Sequence, residues 1–176
     1  AWELNLPRNV LTVDYDATDQ FLVAIDHRLA RRSITGCREA LNGYQKGRCF
    51  YCFGTIVLNP QSDLCPDIDH FFPHALKAHG FYQALDGVWN LVLACHDCNR
   101  GPKGKFHKLP HSELLQRLHT RNNFLIESHH PLRETLIVQT GNSEPARRQY
   151  LQDSFRRAKE LLIHEWKPES KFEPVF

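Results

Sequence analysis

The sequence predicts an α+β fold in which a small β-prone middle is flanked by N- and C-terminal helices. Three observations predict it. Apolar residues recur at helical spacing towards both ends of the chain. From about residue 47 to 108, short β-prone runs, Thr55–Leu58 and Leu91–Leu93, alternate with the turn signals Asn59-Pro60 and Asp86-Gly87. The same middle holds five of the six cysteines, four of them as two Cys-x-x-Cys pairs. The expected organisation is one compact domain in three regions: 1–46, 47–108 and 109–176.

In the first region Asp19 can cap a segment that places Phe21, Leu22, Ile25 and Leu29 on one helical face. Ser33 can cap a second helix with Ile34, Cys37, Leu41 and Tyr44 near one side, which makes Cys37 a buried core thiol. In the third region Ser112 opens a helix carrying Leu115 and Leu118. Pro131 suits the first turn of a short element that Gly141 stops. Ser143 and Pro145 open a last helix whose inward positions run through Leu151, Phe155, Ala158, Leu162 and Trp166. A loosely ordered tail is expected after Pro168.

Composition narrows the class. The chain has 176 residues, 41% apolar and 24% charged, which suits a globular protein and not a disordered one or a coiled coil. It contains no apolar run of the ~18 residues a membrane span needs, and no signal segment, so the expectation is a cytoplasmic protein without a membrane partner. It begins at Ala1 and has no methionine, which reads as a piece of a longer protein. A net charge of +2 does not by itself imply a polyanion partner. The placement of charge says more: Asn99 to Ser112 carries Arg100, Lys103, Lys105 and Lys108 with no acidic residue, and Arg28, Arg31, Arg32 and Arg38 precede the first cysteine pair. Solvated faces are the plain reading of such runs.

The cysteines point to metal. Cys49-Phe-Tyr-Cys52 and Cys95-His-Asp-Cys98 are two knuckles, each able to offer two thiolates to one ion. Four thiolates close a tetrahedral zinc site and leave no position for substrate, so the zinc is structural. The knuckles are 42 residues apart, well beyond the spacing of about 15–20 in a compact ribbon, so something is inserted between them. The insertion carries Asp67-Ile-Asp69-His70-Phe-Phe-Pro73 and Asn90-Leu-Val-Leu. An Asp–His pair at the end of a β-prone run can aim a carboxylate and an imidazole at one locus. Asn99 follows the last zinc ligand and is therefore held on a rigid support. Asp and Asn oxygens are hard donors suited to Mg²⁺, and an imidazole beside them can take a proton from water.

Together these residues resemble the HNH (ββα-metal) endonucleases, in the branch with a four-cysteine structural zinc. The matching elements are Cys-x-x-Cys, Asp-His-x-x-Pro, Asn-Leu and Cys-x-x-Cys-Asn, in the family's order, over residues 49 to 105. The resemblance implies a β-hairpin followed by a helix, with a catalytic metal between them. His70 corresponds to the general base, Asn90 to the residue that pins the inter-strand loop, and Asp69 and Asn99 to the ligands of a catalytic Mg²⁺ or Mn²⁺. It implies hydrolysis of DNA phosphodiester bonds to 5′-phosphate and 3′-hydroxyl ends, with Arg100, Lys103 and Lys105 holding the backbone. Such an enzyme is expected either free-standing or as the nuclease module of a bacterial defence or guided-targeting assembly, with further domains or subunits as partners. The chain departs from the usual Cys-Asn-x-x-Lys-Gly by one extra residue, and Pro102 shortens or kinks any helix through Asn99.

Regular alternation on a strand sets Asp67 and Asp69 on one face and His70 on the other, so a bend or bulge is expected between Asp69 and His70. His74, His79, His96 and His107 read as surface or supporting residues, and Cys65 as a structural thiol. Phe71, Phe72, Phe81, Tyr82 and Trp89 read as core. The rival functions are a non-catalytic zinc-ribbon module that binds nucleic acid or protein, and a nuclease toxin.

Overall fold

The computed structural model describes residues 12–16, 21–25, 31–81, 83–169 and 172–176. The architecture is α+β, and the described N-terminal flank is not the helical pair expected. Strands β1 (Thr12–Asp16), β2 (Phe21–Ile25) and β3 (Arg31–Gly36) form an antiparallel sheet, and only α1 (Cys37–Gln45) is helical. Phe21-Leu-Val-Ala-Ile25 is a short apolar run, which satisfies a strand as well as a helix. Its β-branched content and sheet partners decide for the strand. Asp19 and Leu29 lie outside the described residues, as does the Cys37 thiol.

The middle is built on two strands. β4 (Asp67–His70) runs antiparallel to β5 (Leu91–Ala94), pairing Asp67 with Ala94 and His70 with Leu91. That register is continuous, and Phe71 N–H still bonds Asn90 C=O at 2.8 Å, so no bulge separates Asp69 from His70. Of the run 55–58, only Thr55 pairs, in an isolated bridge to Arg48. β5 is buried along its whole length. Its far edge is closed by α1, where Gln45 Oε1 accepts from Leu93 N–H at 2.9 Å and Gln45 Nε2 donates to Leu93 C=O at 2.8 Å. A side-chain amide thus does part of the work of a third strand: it satisfies Leu93 N–H and shares Leu93 C=O with Phe50 N–H, which donates to it at 2.9 Å.

β5 leads into α2 (His96–Arg100), a single short helix that stops before Pro102. Three helices follow: α3 (Ser112–Glu127), α4 (Arg133–Thr140) and α5 (Glu144–Leu161), the last capped by Ser143, whose Oγ accepts from Ala146 N–H. α5 ends earlier than its apolar spacing suggested. Trp166 instead lies on β7 (Glu165–Trp166), parallel to β6 (Leu109–Pro110), with its ring against Tyr51 and its Nε1 donating to Lys103 C=O. The helices grip the middle through buried Arg121, whose guanidinium donates to Leu91 C=O at 2.9 Å and to Trp89 C=O at 3.1 Å. Phe71, Phe72, Phe81 and Trp89 are core residues; Tyr82 lies outside the described residues.

The end of the chain is seated, contrary to the loose tail expected. Phe176 packs against Tyr44 and Phe53 with ring centroids 4.9 and 4.7 Å apart, and Phe172 N–H bonds Cys52 C=O at 3.0 Å. The ring contacts of Phe176 and the Phe172 backbone bond offset the entropy of ordering these few residues, whose other side chains stay exposed.

Candidate functional site

The Sγ atoms of Cys49, Cys52, Cys95 and Cys98 lie within 4.8 Å of one another, placed to hold a metal ion and compatible with zinc. The first knuckle turns between α1 and β4, and the second straddles the β5–α2 junction, so one ion would tie the two halves of the insertion together. Backbone N–H groups of Gly54 and Cys95 point at the sulfurs of Cys52 and Cys49, each at 3.3 Å. Sulfurs this close perturb one another. Hydrogen bonding with Cys49 pushes Cys52 down and Cys95 to about 7, while contact with Cys52 raises Cys49 and contact with Cys49 raises Cys98. A divalent ion among them allows all four to be thiolates. Arg117 adds positive charge, donating to the Phe50 and Tyr51 carbonyls and stacking over Phe53 at 4.2 Å.

The tail lies over this cluster: a β-carbon on Gly54 would meet the Phe172 ring at 3.1 Å and Cys52 Sγ at 3.2 Å. Phe172→Ala should therefore speed metal transfer from the cluster to a colorimetric chelator several-fold. An unchanged transfer rate would mean that the ring does not restrict access.

Tyr51, inside the first knuckle, reaches from the cluster to the candidate hydrolytic residues. Its hydroxyl donates to Asp69 Oδ2 at 2.5 Å, and burial together with the Asp69 charge pushes its pKa well up, so it remains a donor. Lys105 approaches the same oxygen at 3.2 Å and also donates to the carbonyls of His70, at 3.0 Å, and Phe106, at 3.2 Å. Lys105 is fully buried, so it is not the exposed contact for a nucleic-acid backbone that its position in the basic run suggested. The reason is the turn after α2. A β-carbon at Gly101 would meet Asp97 O at 2.7 Å and one at Gly104 would meet Gly101 N at 2.9 Å, so only glycine permits so tight a reversal. That reversal returns Lys105 N–H to Cys98 C=O and carries its side chain beneath β4.

His70 faces the other way. Its Nε2 lies 3.0 Å from Asp86 Oδ1, and Asp86 is further held by Lys77 at 2.6 Å and approached by His74 at 3.5 Å. Burial resists ionisation of Asp86, but hydrogen bonds from Lys77 and His70 outweigh it and hold the carboxyl below its ordinary range. An ionised carboxylate only accepts, so the hydrogen-bond network assigns the ring proton to Nε2 and leaves Nδ1 free to accept. Burial lowers the His70 pKa against the opposing pull of Asp86, which keeps the ring neutral near pH 7.

Asn90, wholly buried, joins the strands: its Oδ1 accepts from Phe72 N–H at 2.7 Å, and its Nδ2 donates to Phe72 C=O and Leu85 C=O at 3.0 and 2.9 Å. Asn99 Nδ2 contacts Asp67 Oδ2 at 3.1 Å, and Arg100 grips the same carboxylate through two bonds of 3.0 and 2.6 Å. Burial opposes the Asp67 charge, yet Arg100 and Asn99 hold its pKa down. Exposed Lys103 pairs with exposed Glu169 at 2.8 Å, an ion pair weak enough to exchange for another anion. His96 is exposed near Asp67 and Cys65 is a free, half-buried thiol.

The spacing of residues thus pointed to Asp69, His70, Asn90 and Asn99, with Asp67 as a candidate aid to metal binding; the structure adds Tyr51 and Asp86 around them and gives Lys105 a buried place beside Asp69. Asp86 had been visible only as half of a turn signal, and Tyr51 only as a filler between two cysteines. A groove of about 620 Å³ between α3 and α5 contains none of these residues. Comparison of the chain with protein families, with characterised proteins and with solved structures found no match. No helix among the described residues is long and apolar enough to cross a membrane.

Proposed function

We propose that the chain is a metal-dependent HNH-type endonuclease acting on DNA, with His70 as general base. The observation that carries this reading is the His70–Asp86 pair: a neutral imidazole, oriented by a carboxylate, at the end of a hairpin that leads into Asn99. His70 Nδ1 takes the proton from an attacking water, and Asp86 stabilises the imidazolium that forms. Asn90 keeps β4 and the loop before β5 in register, so that the ring is presented at a fixed angle.

In this reading Asp69 and Asn99 would hold the catalytic cation. Asp69 Oδ2 is taken by Tyr51 and Lys105, whereas Oδ1 has no hydrogen bond among the described residues, and Asn99 brings an amide oxygen. One carboxylate and one amide oxygen suit Mg²⁺ or Mn²⁺, which completes its shell with water and phosphate. The ion would stabilise charge developing on the phosphoryl oxygens and on the leaving 3′ oxygen. Exposed Arg100 and Lys103, each in an ion pair that can open, would meet the phosphate backbone. A role in a bacterial defence or guided-targeting assembly, and a cytoplasmic location, belong to the same reading.

The test is cleavage of supercoiled plasmid with Mg²⁺ or Mn²⁺. His70→Ala should lower the rate by about 10²–10⁴-fold. Cleavage that survives the substitution sinks the base assignment, and absence of cleavage by the unmodified protein favours a zinc-ribbon binding module. The pH profile gives a second check. Because His70 must be neutral, activity is present above its pKa and lost as the pH falls through it, and burial sets that limb below the ordinary imidazole value. Asp86→Asn removes a charge that opposes burial, so the limb should move to still lower pH as kcat/KM falls. A limb that moves upward contradicts the pairing.

A further inference from the structure

Four described non-glycine residues have positive φ: Lys46, Phe53, Phe106 and His129. Two are polar, and Phe53 is buried against Phe176 and beneath Arg117. Phe106 differs from all three. It sits at φ 48°, in the left-handed region that a side chain disfavours, and is 48% exposed. The other exposed phenylalanines find company, Phe124 against Tyr44 and Phe172 over Gly54, but Phe106 has no ring partner among the described residues. Its backbone is nonetheless held from both sides: its N–H donates to Asn99 C=O at 2.9 Å, and its C=O accepts from Lys105, which also holds His70 C=O. The turn that buries Lys105 thus also fixes the Phe106 backbone next to Asn99 and leaves about half of the residue open to solvent, with no ring partner among the described residues. Strain of this kind, kept in place by its surroundings, collects at sites that act on a ligand.

We infer that Phe106 is a stacking platform for an unpaired nucleobase next to the scissile phosphate, so that the substrate is single-stranded, or locally unstacked, nucleic acid. This rests on the nuclease reading and deepens it. Every base has a π-face that such a ring can accept without sequence preference, and the neighbouring cations suit the backbone that carries it. Arg100 and Lys103 are exposed just before the ring, and His107 and Lys108 just after it. The large aromatics of the middle, Phe71, Phe72, Phe81 and Trp89, are buried and cannot serve. A base paired within a duplex offers no free face, so the platform discriminates by strand state.

The experiment measures binding, not cleavage. The whole chain, without added Mg²⁺ or Mn²⁺, is titrated into a single-stranded DNA oligonucleotide carrying one 2-aminopurine, and into the same strand in a duplex. The unmodified protein should bind the single strand more tightly and change the 2-aminopurine fluorescence by stacking. Phe106→Ala and Phe106→Gly should bind it about tenfold more weakly and lose the fluorescence change, while Phe106→Trp keeps both. Phe106→Gly also relieves the backbone, so its melting temperature should equal or exceed that of the unmodified protein, which separates lost stacking from lost folding. If the unmodified protein binds both DNAs and Phe106→Ala matches it on each, the stacking role is overturned and the nuclease reading is untouched. If the unmodified protein binds neither, both fall.

Discussion

Stripping the metal from the four-cysteine cluster is expected to unfold the middle of the chain. Four sulfurs within 4.8 Å of one another have no stable arrangement as four thiolates without a cation, and as four thiols they lose the bonds that close the knuckles. A structural zinc contributes about 10–16 kcal/mol of apparent binding free energy, against a total stability of about 5–15 kcal/mol for a typical domain. The effect will spread, because Tyr51 carries the knuckle to Asp69, and Cys98 C=O anchors the turn that buries Lys105. The measurement is the thermal unfolding transition followed by circular dichroism, with metal content assayed in parallel. The purified chain should carry one equivalent of zinc, lose it to a strong chelator, and lose its cooperative transition with it. Cys98→Ser should do the same without chelator. A transition unmoved by complete metal removal would show that packing alone holds the knuckles.

The second large effect is expected at Lys105. An ammonium with no solvent exposure is rare, and this one faces Asp69, itself 7% exposed. Burial lowers the Lys105 pKa while Asp69 opposes the shift. Replacing Lys105 by methionine keeps the stem and removes the charge, leaving Asp69 to bury a carboxylate supported only by Tyr51. Breaking such a pair destabilises by roughly 3–5 kcal/mol. Urea unfolding of Lys105→Met should show a lowered midpoint, and the double variant with Asp69→Asn should recover much of the loss, because no unpaired charge remains. A coupling of roughly 1–3 kcal/mol between the two sites is the expected signature of direct contact. Additive effects would mean that Lys105 acts through the His70 and Phe106 carbonyls instead.

Lys105 also shows where the sequence is a poor guide. In the chain it is one of a basic run, and a run of lysines reads as a wetted face. No apolar pattern around it announces burial. What buries it is the pair Gly101 and Gly104, which lets the chain double back under β4. The N-terminal flank failed for a different reason. Phe21–Ile25 is too short for periodicity to separate helix from strand, and the deciding partners, β1 and β3, lie elsewhere in the chain. The last helix was legible up to Leu161, but the apolar pattern ran on to Trp166, which is buried by a strand pairing with Leu109–Pro110 that no helical period can encode.

By itself the sequence determined what depends on short spacing. Two residues between cysteines set the bite of each knuckle, Ser143 and Pro145 start α5, Gly141 ends α4, and Asp69-His70 sits at the end of a strand because alternation and turn residues bracket it. These are local facts, settled by backbone geometry over a turn or two. Only the tertiary structure decided which groups face one another: His70 with Asp86 across 16 residues, Tyr51 with Asp69 across 18, Lys105 with His70 across 35. Such pairs depend on where the chain returns to itself, and that is set by the packing of the whole core.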